Sequence, residues 1–218
     1  MINMTAKGDA VSDFLSRRAF NPKQMDFFEE RAAIWDKITV HDHQKVERIT
    51  SLLGMKGDEM ILDVGTGTGI MIPFYEKHLT TGRVCAIDYS EAMIEQARKK
   101  YPELDHPLVS YRVLDLYRAD FGPVFDLVVC YSCFPHFPDP LKAISVLGGC
   151  LKEGGRLVIA HSSSKEHINK VHMDGGEEIN TDFLPEMKVM RAMMEMTGMG
   201  MEFEQDDSEY YIAIAKKG

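Results

Sequence analysis

Four cysteines in 218 residues are too few for the disulfide framework of a small secreted scaffold, and a chain this long buries a core without one. Cys85, Cys130 and Cys150 sit inside apolar stretches, as reduced core cysteines do. Basic side chains are also scarce: 25 Lys plus Arg stand against 34 Asp plus Glu, a formal net charge of −9. Such a surface repels phosphate backbones unless its few bases cluster, so generic nucleic-acid binding is disfavoured. Long apolar runs are missing too, and no stretch approaches the roughly 20 residues that cross a bilayer. Met1 to Val11 carry charges and no apolar run, so no signal peptide is expected and a reducing cytoplasm is the expected compartment. No internal repeat or low-complexity tract is visible, apart from a methionine-rich zone near the C-terminus.

What is present is ordinary globular composition, 44% hydrophobic and 27% charged. Residues 1–20 read as a loose arm with one short helix. Asn21-Pro22 then marks a helix start, because Asn caps and proline fits the first turn. Phe27, Phe28, Ala32, Ile34 and Trp35 predict an amphipathic helix over Gln24–Ile38, and a second is expected from His43 to Leu53, ending near Gly54. From Met60 onward strands alternate with helices. Met60–Val64, Arg83–Ile87, Val109–Val113, Phe125–Cys130 and Arg156–Ala160 are the expected strands; Ile70–Lys77, Ser90–Lys100 and Pro140–Leu151 are the helices between them. This rhythm means βαβ units and a parallel sheet, an α/β fold. The last third departs from it. Ser163-Ser-Lys-Glu166 reads as a capping box opening a helix to about His172, Pro185 starts a helix to about Thr197, and a hairpin closes the chain.

The strongest signal is Asp63-Val-Gly65-Thr66-Gly67-Thr-Gly69, directly after a strand and before a helix. Glycines there let the backbone approach a ligand closely, and the following helix offers free N–H groups. A tight strand–helix connection is the plainer reading. Asp88 ends the second strand, where an acid accepts hydrogen bonds from a ribose diol, and Asp115 lies just past the third. The three carboxylates are expected to converge on the crevice where doubly wound sheets bind ligands. Ile70 occupies the last position of a G-x-G-x-x-G pattern, which argues against a dinucleotide.

These residues resemble the class I S-adenosylmethionine-dependent methyltransferases over roughly Met60 to Ala215. Ile61-Leu-Asp-Val-Gly-Thr-Gly-Thr-Gly69 is similar to the family's first motif, and Val84-Cys-Ala-Ile-Asp-Tyr-Ser90 to its second. Phe125-Asp-Leu-Val-Val-Cys130 matches the fourth-strand motif, and Leu151-Lys-Glu-Gly-Gly-Arg-Leu157 the turn into strand five. The resemblance implies a Rossmann-like, seven-stranded, mostly parallel sheet with an antiparallel last strand and helices on both faces. Residues 1–55 would form an N-terminal helical cap, and 56–218 the S-adenosylmethionine-binding unit. It further implies that Asp63, Gly65, Thr66 and Gly67 hold the methionine moiety, and that Asp88 binds the ribose. Tyr89, Met93, Asp115 and Leu116 would surround the adenine, with Cys130 and Tyr131 lining the crevice near the sulfonium.

Methyl transfer from a sulfonium is an in-line displacement in which the cofactor already carries the activation, so the protein aligns a nucleophile, excludes water and removes a proton where one must leave. Candidate groups lie after strands four and five. His136, His161, His167 and His172, four of the eight histidines, gather there. His167 and His172 are five residues apart, about 140° round a helix, so both do not aim at one point, and His167 is expected to face solvent. His136, His161 and His172 are the candidates for a catalytic role or for a divalent metal, with Cys133 as an extra ligand; metal-free hydrogen bonding to substrate is the alternative. Cys130-Tyr-Ser-Cys133 has C-x-x-C spacing without a second pair, which argues against structural zinc. His41 and His43 are expected at an exposed helix start. Met187, Met190 and Met194 share one helix face, a core stripe or an adaptable wall for an apolar substrate. The expected activity is methyl transfer from S-adenosylmethionine to a small molecule, with a histidine-bound metal as a further element. The alternative is a metal-binding protein responsive to S-adenosylmethionine without methyl transfer. No membrane or nucleic-acid partner is expected, and the oligomeric state is not legible.

Overall fold

The computed structural model describes residues 4–218. The helix expected in the N-terminal arm is α1 (Met4–Ser16), held because Val11 is buried in the main core and Lys7 pairs with Glu195 at 2.5 Å. The single helix expected over Gln24–Ile38 is broken into α2 (Lys23–Arg31), a 3-10 turn over Ala32–Ile34 and α3 (Trp35–Ile38). Arg31 (ψ −8°) and Ile34 (ψ 5°) leave ideal helical geometry, and the bend seats Phe28 and Ala32 on Met93. Helix α4 (His43–Leu52) starts where the Asp42 carboxylate accepts from the Gln44 and Lys45 N–H groups. Its apolar stripe, Val46 and Ile49, is fully buried against the sheet.

The alternation from Met60 is as expected. It runs β1 (Met60–Val64), α5 (Ile72–Glu76), β2 (Arg83–Asp88), α6 (Glu91–Lys100), β3 (Val109–Val113), β4 (Phe125–Tyr131), α7 (Pro140–Cys150) and β5 (Leu151–His161). Then follow α8 (Lys165–Asp174), α9 (Met187–Met196), β6 (Met199–Asp206) and β7 (Tyr211–Lys217). The strands form one seven-stranded sheet in the order β3-β2-β1-β4-β5-β7-β6, with β7 antiparallel to both of its neighbours. Strand five begins at Leu151 rather than Arg156, because Leu151 pairs with Phe125 before a register shift. Helix α8 is capped by Ser164, which accepts from the His167 N–H, and not by Ser163.

Period-two alternation sorts the strands onto two cores. Leu62 stands level with Cys85 and Val128, and all three face the layer containing α7 and α9. Ile61, Val84 and Leu127 point the other way, toward α4, α5 and α6. Each such fully buried aliphatic side chain contributes about 1.5–3 kcal/mol of transfer free energy. The methionine stripe belongs here too: Met190 and Met194 are buried in the first core and Met187 packs partly buried against it, so the stripe is packing. Because β1 lies between β2 and β4, the chain leaves β1 and β4 toward opposite sides and opens a crevice at their carboxyl ends.

Candidate active site

The turn after β1 is left-handed where the sequence places glycine: φ is +63° at Gly65, +55° at Gly67 and +86° at Gly69. A Cβ on Gly65 would sit 2.6 Å from the Cβ of Cys133, so the close approach of the two loops requires glycine. At Gly67 the space that a Cβ would enter is open, with nothing within 4 Å, and the turn forms a cradle facing the crevice. Asp88 at the end of β2 fastens it: Oδ2 accepts from the Gly67 N–H at 2.9 Å and Oδ1 from the Ser90 N–H at 3.0 Å. Burial disfavours its charge and lifts its pKa to about 6, against the pull of the Ser90 and Gly67 hydrogen bonds.

A cavity of about 400 Å³ opens over this turn. Its floor carries Gly65, Thr66, Gly67, Asp88, Asp115 and Leu116, with Tyr89 and Met93 beside them. Its roof is the N-terminal segment, which contributes Phe28, Trp35, Asp36 and His41. Asp36 ties roof to body, accepting from Thr68 Oγ1 at 2.5 Å and from Lys100 Nζ at 2.6 Å. Tyr131, Cys133 and His136 close the far end.

Two expected residues lie elsewhere. Asp63 is 1% exposed behind the turn, where its Oδ1 accepts from the Tyr75 hydroxyl at 2.9 Å. Burial raises its pKa to about 6, with the hydrogen bond from Tyr75 opposing. The convergence of three carboxylates is therefore a convergence of two, Asp88 and Asp115. Cys130 faces the α7 core by strand alternation, and the cleft is lined by Cys133, whose thiol donates to the Val64 carbonyl at 3.0 Å.

The histidines are drawn together without forming a metal centre. His136 Nδ1 meets Asp182 Oδ2 at 2.7 Å, and His172 Nδ1 meets the Asp182 backbone carbonyl at 2.5 Å. The two rings lie 4.8 Å apart between centroids. His161 is buried beneath, without a partner on either ring nitrogen, its pKa pushed down to about 3 by burial and then by His172. His172 is driven down to about 4, again chiefly by burial. Among the described residues no group of three His, Cys, Asp or Glu side chains is placed to hold a metal ion. This corrects the expected His136, His161 and His172 ligand set: Asp182 engages two of the rings, and the third is packed in the core. Of the three, His136 alone lines the cleft. His167 is exposed, as expected.

Sequence reasoning missed Asp182, Gln24, Asp36 and His41. His41 is not at an exposed helix start: it lines the cleft with Nδ1 2.8 Å from the Tyr131 hydroxyl, which in turn lies 2.7 Å from Ser162 Oγ. Asp182 sits in a loop with no motif around it, so nothing in its neighbours along the chain marks it.

A mostly parallel, Rossmann-like sheet with an antiparallel β7, a left-handed glycine cradle and an acid at the tip of β2 define the class I methyltransferase fold. Residues 62–159 match the family described as "Methyltransferase domain". A phosphatidylethanolamine N-methyltransferase of Cereibacter sphaeroides is 31% identical over 108 residues, 49% of this chain and 52% of that protein. The chain thus spans about half the length of the curated relatives it matches. A SAM-dependent methyltransferase from Aquifex aeolicus superposes with a TM-score of 0.67 at 21% identity, covering 92% of this chain and 100% of that one. The magnesium protoporphyrin IX methyltransferase of Synechocystis with bound SAH superposes with a TM-score of 0.66 at 19% identity, covering 88% and 97%. At these identities the likeness establishes the fold. Among the described residues, no helix is long and apolar enough to cross a membrane.

Proposed function

We propose that this chain transfers a methyl group from S-adenosylmethionine to a small-molecule acceptor bound under the N-terminal segment. The observation that carries the reading is the pairing of the open Gly67 cradle with the Asp88 carboxylate on one cleft floor. When bound, the cofactor supplies an activated methyl group on a cationic sulfur. Gly65, Thr66 and Gly67 would accommodate its methionine moiety, with Asp63 acting from behind by bracing the turn. Asp88 would accept from the ribose hydroxyls; Asp115, Leu116, Tyr89 and Met93 would enclose the adenine. Tyr131 and His136 then face the acceptor, while Phe28 and Trp35 exclude water. In this reading residues 1–55 serve as a cap and 56–218 as the methyltransferase unit. The enclosed cleft of about 400 Å³ supports a small acceptor over a polymer. The relatives that methylate phosphatidylethanolamine and magnesium protoporphyrin IX support the same breadth of small-molecule chemistry without selecting among acceptors.

Isothermal titration tests the cofactor assignment. The wild type is expected to bind S-adenosylmethionine with one site, and Asp88→Ala to bind at least about tenfold more weakly, because hydrogen bonds to a charged group are worth about 1.5–3 kcal/mol. Equal affinity in the two proteins would remove the assignment.

A further inference from the structure

We infer that Asp182 and Arg18 are positioning residues that present Nε2 of His136 to the cleft as a proton acceptor, and that the methyl acceptor is a protic nucleophile: a hydroxyl, thiol or amine. The inference rests on the methyltransferase reading above and adds the base and the acceptor class. It starts from one oxygen. Asp182 is 3% exposed, and its Oδ2 accepts from Gln24 Nε2, an obligatory donor, at 2.7 Å. The same oxygen lies 2.7 Å from His136 Nδ1, so that nitrogen carries the proton and donates. The lone pair of the neutral ring is then on Nε2, the nitrogen with no partner among the described residues, on a side chain that lines the cleft.

The backbone around both members of the pair is pinned by one guanidinium. Arg18 donates to the carbonyls of Pro135 and Phe137, the residues on either side of His136. It also donates to the carbonyls of Thr181 (3.3 Å) and Phe183 (3.1 Å), the residues on either side of Asp182. A planar fork with five donors suits four converging carbonyls, and an ammonium with three donors does not. His172 holds the Asp182 carbonyl itself, and Phe28 packs edge-on against the His136 ring at 4.9 Å between centroids. Five residues, Arg18, Gln24, Phe28, His172 and Asp182, thus fix one imidazole, more support than a surface histidine needs.

The chemistry balances. As the nucleophile's lone pair forms its bond to the methyl carbon, the carbon–sulfur bond breaks and its electron pair neutralises the sulfonium. The proton on the nucleophile passes to His136 Nε2, and the resulting imidazolium faces the Asp182 carboxylate. A carbon nucleophile without an acidic proton would make no use of this arrangement.

Long-range 1H–15N spectra of histidine-labelled protein test the positioning without any acceptor, with His136 assigned through His136→Gln. The wild-type neutral ring is expected as the Nδ1–H tautomer, and Asp182→Ala as predominantly Nε2–H. Asp182→Asn, which keeps the volume, loses the low-field Nδ1–H resonance that a carboxylate partner produces. Arg18→Lys is expected to yield a mixture of tautomers. A wild-type ring protonated on Nε2, or a tautomer unchanged in both Asp182 variants, overturns the inference. Titration of the same samples with S-adenosylmethionine separates the two claims: wild type that fails to bind refutes the methyltransferase reading while the tautomer result stands or falls by itself.

Discussion

Burial lifts the carboxyl groups of Asp63 and Asp88 to a pKa of about 6, and the two residues pass that shift to different measurements. Asp63 is braced by Tyr75 and lies off the cleft, so its shift reads out as stability. Its folded pKa is above the unfolded value of 3.8, so its contribution is complete below about pH 4 and is lost as pH rises through about 6. A shift of about two units corresponds to about 3 kcal/mol. Asp63→Asn is therefore expected to unfold at a higher temperature than wild type at pH 7, with the gap closing toward pH 4 in calorimetry without cofactor. A constant gap across that range would contradict the assignment. Asp88 reads out as binding. Its ionised form accepts from the ribose in the proposed complex, so affinity for S-adenosylmethionine is expected to fall by up to about tenfold per pH unit below about pH 6. A flat titration series between pH 5 and pH 7 would count against it.

Among the elements, the glycine turn makes the sharpest comparison, because its residues share a left-handed backbone but not their surroundings. Replacing either Gly65 or Gly67 by alanine costs about 1–2 kcal/mol for the positive φ. Gly65→Ala adds a collision with Cys133 at 2.6 Å, whereas Gly67→Ala meets open space. Urea denaturation is expected to show the larger loss for Gly65→Ala. Gly67→Ala is expected to keep more of its stability while losing cofactor affinity, because the methyl group fills the cradle. Equal losses in both properties would mean that the cradle is not a binding surface. The same scale explains the misread helix over Gln24–Ile38. Its apolar residues follow a helical period, but Phe28 and Ala32 bury against Met93 only when the chain bends after Arg31.

For the whole molecule, the roof and the body are joined by a small apolar cluster, Phe28 and Ala32 on Met93, and by polar contacts, Asp36 to Lys100 and Thr68, His41 to Tyr131, and Gln24 to Asp182. The exposed Asp36–Lys100 pair contributes little, and the apolar cluster is small beside the two cores of the sheet, so the roof is expected to open more readily than the sheet. Hydrogen exchange should show residues 20–41 exchanging faster than β1, β4 and β5, and slowing on addition of S-adenosylmethionine while the strands barely change. Protection unchanged over 20–41 would show that this segment does not close on the cofactor.

The alternation of strands and helices, the glycine turn and the acid at the tip of β2 were all legible in the order of residues. Each depends on contacts between near neighbours or on a backbone conformation that one residue type alone adopts easily. The metal centre expected from His136, His161 and His172, the exposed position expected for His41 and the silence over Asp182 share one cause. Where a side chain points after a strand ends depends on which distant segment packs against it. Arg18, Gln24, His136 and Asp182 come from parts of the chain up to 164 residues apart, and only the closed fold brings their hydrogen bonds into one place.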